Sequence, residues 1–205
     1  MAIATTTRRR AALLLTAGLV VLGATACTDT KPSVSTEAKP AATAPAASGT
    51  AGGSKAADPS KSAEGAKAAA KLGDTIALKG SLADNTADVT AVKLVDNAEG
   101  ADEFTKPADG KRFVAVQFRI KATGKGYNDS PSNSAKLIDA QGQAFNTSLD
   151  DTKAGPSFAA GTTIAAGESG LGFLTFEVPA DAKLDKVQFT LDSGFAPQTG
   201  QWKLG

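Results

Sequence analysis

The stretch KRFVAVQFRIKAT, residues 111–123, decides the fold class. Val114, Val116, Phe118 and Ile120 alternate with Ala115, Gln117, Arg119 and Lys121. Successive side chains of a strand point to opposite faces, so this period of two predicts a β-strand with one buried face. The same reading extends outward. GLGFLTFEVP sets Leu174, Phe176 and Val178 against Phe173, Thr175 and Glu177, and Pro179 stops the run. DKVQFTLD places Val187, Phe189 and Leu191 on one face. DTIALKG, ADVTAVKLVD (87–96) and the closing QWKLG are further strand candidates. AKLIDAQGQAF reads as strand, turn, strand around Asp139-Ala140-Gln141-Gly142. No stretch from residue 73 onward carries a convincing helical period. Seven to nine short strands joined by Gly, Asp, Asn and Pro turns predict an all-β, two-sheet sandwich over residues 73–205.

Upstream the texture changes. Residues 28–72 are nearly all Ala, Ser, Thr, Pro, Gly or Lys, and Val34 and Leu72 are their large apolar residues. The first aromatic of the chain is Phe104. Such a segment cannot bury enough surface to offset its ordering entropy, so residues 27–72 are expected to be a disordered tether. A flexible coil of that length spans roughly 35–40 Å root-mean-square.

The N-terminus explains the tether. Arg8, Arg9 and Arg10 precede the uncharged AALLLTAGLVVL (11–22), and GATA follows, ending at the single cysteine, Cys27. Positive, apolar and small-residue regions in that order form an export signal peptide, residues 1–26. Its apolar run gives about 18 Å of helix, short of the ~30 Å hydrocarbon core, so it is not read as a permanent span. Ala24-Thr25-Ala26-Cys27 resembles a lipobox, whose cysteine takes a diacylglyceryl group and joins a palmitate-type lipid anchor. Ala24-x-Ala26 also suits the ordinary signal peptidase, and both enzymes cut the same bond. The three arginines fit the general export route or a twin-arginine one. A lone exported cysteine has no internal partner, and lipid attachment gives it a role.

Composition closes off several functions. The sequence contains no histidine, which removes Ser-His and Cys-His catalytic pairs and histidine metal sites. One cysteine removes zinc-cysteine clusters and disulfide scaffolds. Removing Arg8, Arg9 and Arg10 with the signal takes the net charge from +1 to −2, which is no footprint for nucleic acid.

The chain also resembles a known family. LGDTIALKG, GKRFVAVQFRIKATGK, AKLIDAQGQAF, AAGESGLGFLTFEVPADA and a terminal WKL occur in that order. They resemble the domain-of-unknown-function family of Gram-positive extracellular lipoproteins with a telokin-like, immunoglobulin-like fold. A secreted mycobacterial immunoprotective antigen is similar in architecture. The most specific pieces are Gly110-Lys111-Arg112-Phe113, Leu137-Ile138-Asp139-x-x-Gly142 and Gly167-Glu168 with Phe176-x-Val178-Pro179. The family usually has Asn where Ala122 stands and Pro where Ala166 stands. The resemblance implies an immunoglobulin-like sandwich at an extracytoplasmic site. It carries no catalytic residue and no agreed ligand.

Three motifs invite chemistry. GESGLG (167–172) has Leu171 where a nucleophile elbow needs glycine, and it reads as a turn feeding a strand. The acids Asp84, Asp88, Asp96, Glu99, Asp102, Glu103 and Asp109 do not match the calcium-loop spacing and read as solvated. ATGKGYNDSPSNS (122–134) holds the single tyrosine, Tyr127, which reads either as an interaction residue or as a core cap with its hydroxyl in water. The expectation is therefore a non-enzymatic binding protein without cofactor or metal. Acylated Cys27 would hold it to the outer face of the cytoplasmic membrane, secretion being the alternative. Its partner would be another envelope protein or the cell wall. A structural accessory lipoprotein and a carbohydrate- or peptidoglycan-active enzyme are the rival readings.

Overall fold

A computed structural model describes residues 32–39 and 69–205. The signal peptide, Cys27 and most of the expected tether lie outside them. The strands are β1 (Ser33–Ser35), β2 (Thr75–Lys79), β3 (Thr86–Asp96), β4 (Lys111–Ala122), β5 (Tyr127–Asp129), β6 (Ala135–Asp139), β7 (Ala144–Ser148), β8 (Thr162–Ile164), β9 (Ser169–Pro179), β10 (Leu184–Thr190) and β11 (Gln198–Lys203). Among the described residues one short helix, α1 (Pro131–Ser134), and a single 3-10 turn at Asp192–Gly194 interrupt them. The expected strands are all present. Those not anticipated, β1, β5 and β8, have three residues each, too few to show a period.

The strand order is β1-β11-β10-β6-β7-β9-β4-β3-β2. Strand β7 is the turning point. Its first half pairs with β6 (Lys136↔Asn146), and its end pairs with β9 (Thr147↔Phe176). The ladder thus folds over at β7 into two layers, one around β10 and one around β4, in an all-β sandwich. Val114, Val116, Phe118, Ile120, Phe176, Val178, Val187, Phe189 and Trp202 fill the space between them. Phe118 meets Phe189 at 5.3 Å between ring centroids and Trp202 edge-on at 6.1 Å. Such large side chains contribute about 1.5–3 kcal/mol each on burial. The Trp202 indole donates to the Asp74 carbonyl at 2.9 Å, so its one polar atom is satisfied.

A bulge keeps β3 in phase. Ala87, Val89 and Ala91 face the core, and then the apolar set changes parity to Leu94. The register against β4 shifts between Ala91 and Lys93, leaving Val92 as the extra residue, so both sets point inward. The Asp139 turn forms as expected: its carboxylate accepts from the Gln141 and Gln143 amides at 3.0 and 2.8 Å, and Gly142 takes φ +85°.

Two expectations need correction. The β4 alternation predicts one buried face, but Phe113 and Ala115 on the other face are buried too. Loops 97–110 and 149–158 cross that face and make a second small core of Ala98, Phe113, Ala115 and Phe173, with Val95 and Ala154 against it. The loops hold each other through Ala101 and Lys153, whose amides donate to the Asp151 and Glu99 carbonyls.

The second correction concerns the tether. Residues 33–35, within the span expected to be disordered, form a strand paired parallel to β11 (Ser33↔Gln198, Ser35↔Gly200). The chain then crosses to the far layer. The Lys39 amide donates to the Thr75 carbonyl, and the Lys39 ammonium pairs with Asp88. Ala70 is buried in the main core, and its amide donates to the Thr36 carbonyl. Composition alone argues against order, but the seam between β11 and β2 offers unpaired backbone groups, and small residues fit it.

Candidate functional site

At one end of the sandwich the β2–β3 turn, the β4–β5 loop and the β10–β11 turn meet. Asp192 ties two of them. Its carboxylate accepts from the Ser81 amide at 2.6 Å and from the Asn85 side-chain amide. The next residue, Ser193, donates through both its amide (2.7 Å) and its hydroxyl to Asp129. Both residues sit in the left-handed region, at φ +56° and +53°, a conformation that non-glycine residues rarely adopt. The hydrogen bonds through Asp192, Ser193 and Asp129 hold that strain in place. The carboxylate of Asp129 also accepts from the Ser130 amide at 2.7 Å.

Tyr127 lies beneath this junction. It is 3% exposed, and its hydroxyl is buried without a hydrogen-bond partner. Tyr127 belongs to the main core, as the cap reading expects, but its hydroxyl is buried and does not reach water: α1 and the 192–194 turn lie against it. The Ser134 hydroxyl is engaged by Asp129 at 3.5 Å and the Ser130 carbonyl at 3.4 Å. Burial first, and then the nearby Asp129 charge, push the phenol's ionisation well above its ordinary value.

A cleft of about 500 Å³ opens beside the junction, lined by Leu82, Lys125, Tyr127, Asn128, Ile164 and Asp192 among others. The Lys125 ammonium lies 3.3 Å from the Asp84 carboxylate at its rim. The cleft mixes apolar side chains, Leu82 and Ile164, with polar ones, Lys125, Asn128 and Asp192, so it offers both hydrophobic contact and hydrogen bonds to a ligand. Around it Leu82 is 61% exposed, and Phe195, three residues beyond Asp192, is 85% exposed.

The other motifs take structural places. Gly167 stands at φ +85° in the turn before β9, and its amide bonds the Ala122 carbonyl. The two positions that depart from the family pattern, Ala122 and Ala166, thus meet at one turn. The acids of residues 84–109 do not converge. Asp96 pairs with Arg112 at 2.6 Å, Glu99 with Lys153 at 3.0 Å, and Asp102 accepts from the Phe104 and Thr105 amides. Cys27, the expected lipid attachment site, lies outside the described residues. Sequence reading missed Asp192 and Ser193. Their Asp-Ser-Gly run is turn chemistry that could have flagged them.

The family model described as a domain of unknown function, DUF4352, matches residues 78–198, more than half of the chain. No curated protein matches. Among similar solved structures is a secreted protein of Mycobacterium tuberculosis, MPT63. It is 17% identical over 65% of this chain and 94% of that one, with a TM-score of 0.47. A candidate lipoprotein of Bacillus subtilis is 22% identical over 62% of this chain, with a TM-score of 0.46, and the match spans 37% of that protein. An uncharacterised β-sandwich protein of Clostridium difficile is 14% identical over 72% of this chain and all of that one, with a TM-score of 0.40.

Proposed function

This chain belongs to the DUF4352 family, and from that premise we propose that it is a lipid-anchored, non-catalytic binding protein of the bacterial cell envelope. Cys27 takes the lipid after residues 1–26 are removed, and an immunoglobulin-like sandwich works at the outer face of the cytoplasmic membrane. The partner is an envelope protein or a cell-wall component, and no cofactor takes part.

The observation that carries this reading is the Asp192 junction. The β10–β11 turn is cross-bonded there to the β2–β3 turn and to the end of β5, and the Lys125 amide of the β4–β5 loop donates to the Asp84 carbonyl, around a cleft with two strained residues in succession. The parallel pairing of the first strand with the last supports the immunoglobulin-like assignment. The single cysteine directly behind an export signal supports the anchor. The absence of histidine from the sequence and the scatter of the carboxylates among the described residues support binding over catalysis.

The test is a photo-crosslinking residue at Asn128 on the cleft wall, used in living cells and followed by mass spectrometry. A specific envelope partner, lost when Asp192 is replaced by alanine, is the expected result. An unmodified N-terminal peptide from protein recovered in culture fluid would overturn the anchor. Crosslinks no different from those of a residue on the opposite end would overturn the site.

A further inference from the structure

We infer that the Asp192 end of the sandwich rests on the bilayer, with Phe195 and Leu82 as its membrane-contacting side chains. The inference rests on the anchor reading above, names the surface on which the anchored domain sits, and narrows the partner of the neighbouring cleft to an envelope protein of the same membrane, since a cell-wall component does not reach this end.

The direction of β1 carries it. Parallel pairing means β1 runs the same way as β11, from the Asp192 end toward the opposite end. The chain therefore enters the fold at the Asp192 end. The Ser33 amide donates to the Pro197 carbonyl at 2.7 Å, two residues beyond Phe195. Six residue steps separate Cys27 from Ser33, and a fully extended chain covers at most about 20 Å in that distance. The spacer between lipid and domain is thus this short stem, because residues 40–68 follow β1 in the chain. An acylated Cys27 holds its lipid within reach of the headgroups, so the end that β1 enters faces the membrane.

That end carries the exposed apolar side chains the position needs. Phe195 and Leu82 project from the two turns that Asp192 ties together, so they form one rigid feature. Aromatic and aliphatic side chains at such a rim enter the boundary between headgroups and acyl chains. The occupant that fits is the bilayer surface, because the chain's own stem brings this end there.

The experiment uses the full acylated chain in phosphatidylethanolamine/phosphatidylglycerol vesicles with brominated acyl chains, which quench tryptophan fluorescence on contact. Phe195→Trp reports the Asp192 end. Phe104→Trp reports the β3–β4 loop at the opposite end and is matched in exposure, 84% against 85%. The wild type supplies the background from buried Trp202. Quenching of the indole at 195 is expected to exceed that at 104 by about threefold or more. Adding Leu82→Asp to Phe195→Trp should bring it down to the level at 104. Vesicles that carry the protein but quench both positions equally, or neither, would overturn the docking and leave the anchor intact. Protein that does not float with the vesicles, with an unmodified N-terminal peptide, would overturn both.

Discussion

Tyr127 holds a buried hydroxyl with no well-formed hydrogen bond and only the Ser134 hydroxyl beside it. A buried unsatisfied polar atom costs about 1–3 kcal/mol, so Tyr127→Phe should leave stability unchanged or raise it by roughly 1 kcal/mol in urea denaturation near neutral pH. Alkaline pH separates the two proteins further. The folded phenol ionises above its ordinary value of 10.0, so above that pH the unfolded chain holds fewer protons than the folded one. Stability of the wild type should therefore fall as pH rises beyond about 10, and this component should be missing in Tyr127→Phe. Asp192 works in the opposite sense. Asp192→Ala removes the acceptor for Ser81 and Asn85 and should cost about 1.5–3 kcal/mol, read from the urea midpoint. Sequence suggests a turn at Asp192 and a cap at Tyr127, but not the partners that either residue meets. Tyr127 stands in a polar run that reads as a rim. The α1 and 192–194 segments that bury it lie far along the chain.

At the level of elements, β4 and β9 were legible and their surroundings were not. Alternation in KRFVAVQFRIKAT and GLGFLTFEVP identifies the inner set, Val114 to Ile120 and Leu174 to Val178, and the core confirms it. Burial of Phe113 and Phe173 on the outer face depends on loops 97–110 and 149–158, whose placement no local pattern reveals. Phe173 also lies under the Lys93 ammonium, 5.1 Å from the ring centroid, and packs closely on Gly155. Phe173→Ala should cost about 3–5 kcal/mol and open the 149–158 loop to proteolysis. Phe104→Ser, on an exposed aromatic of the same outer loops, should stay within about 0.5 kcal/mol. Equal effects would mean that the second core contributes nothing. The short strands β1, β5 and β8 escaped notice for a related reason: a three-residue strand is defined by its partner.

For the whole molecule, the sandwich reading from turns and alternation held, and the simple division into tether and domain did not. Residues 33–39 and 70 belong to the folded body, because the seam between β11 and β2 supplies partners that a composition count cannot see. Residues 40–68 therefore connect two points on one surface. The Thr36–Ala70 hydrogen bond draws the flanks of that connection together. Replacing 40–68 with about eight Gly/Ser residues should raise stability by about 1 kcal/mol in a denaturant titration, since each halving of a closed loop recovers about 0.6 kcal/mol. A loss of several kcal/mol would show that 40–68 packs on the fold. Of the binding end, the sequence disclosed Tyr127 as a candidate and the polar loop around it. The cross-bonds that assemble the junction join residues 81, 85, 129, 192 and 193, separated by up to 111 positions.

The parallel lie of β1 along β11 has a mechanical consequence. Tension entering the body through residue 32 pulls along the axis of the ladder. The β1–β11 hydrogen bonds then carry the load together, in shear. Had β1 run the other way, the same pull would peel them apart one after another. Past Ser35 the load passes to the opposite layer through Lys39, so force applied at the N-terminal stem is shared between both sheets before it reaches the core.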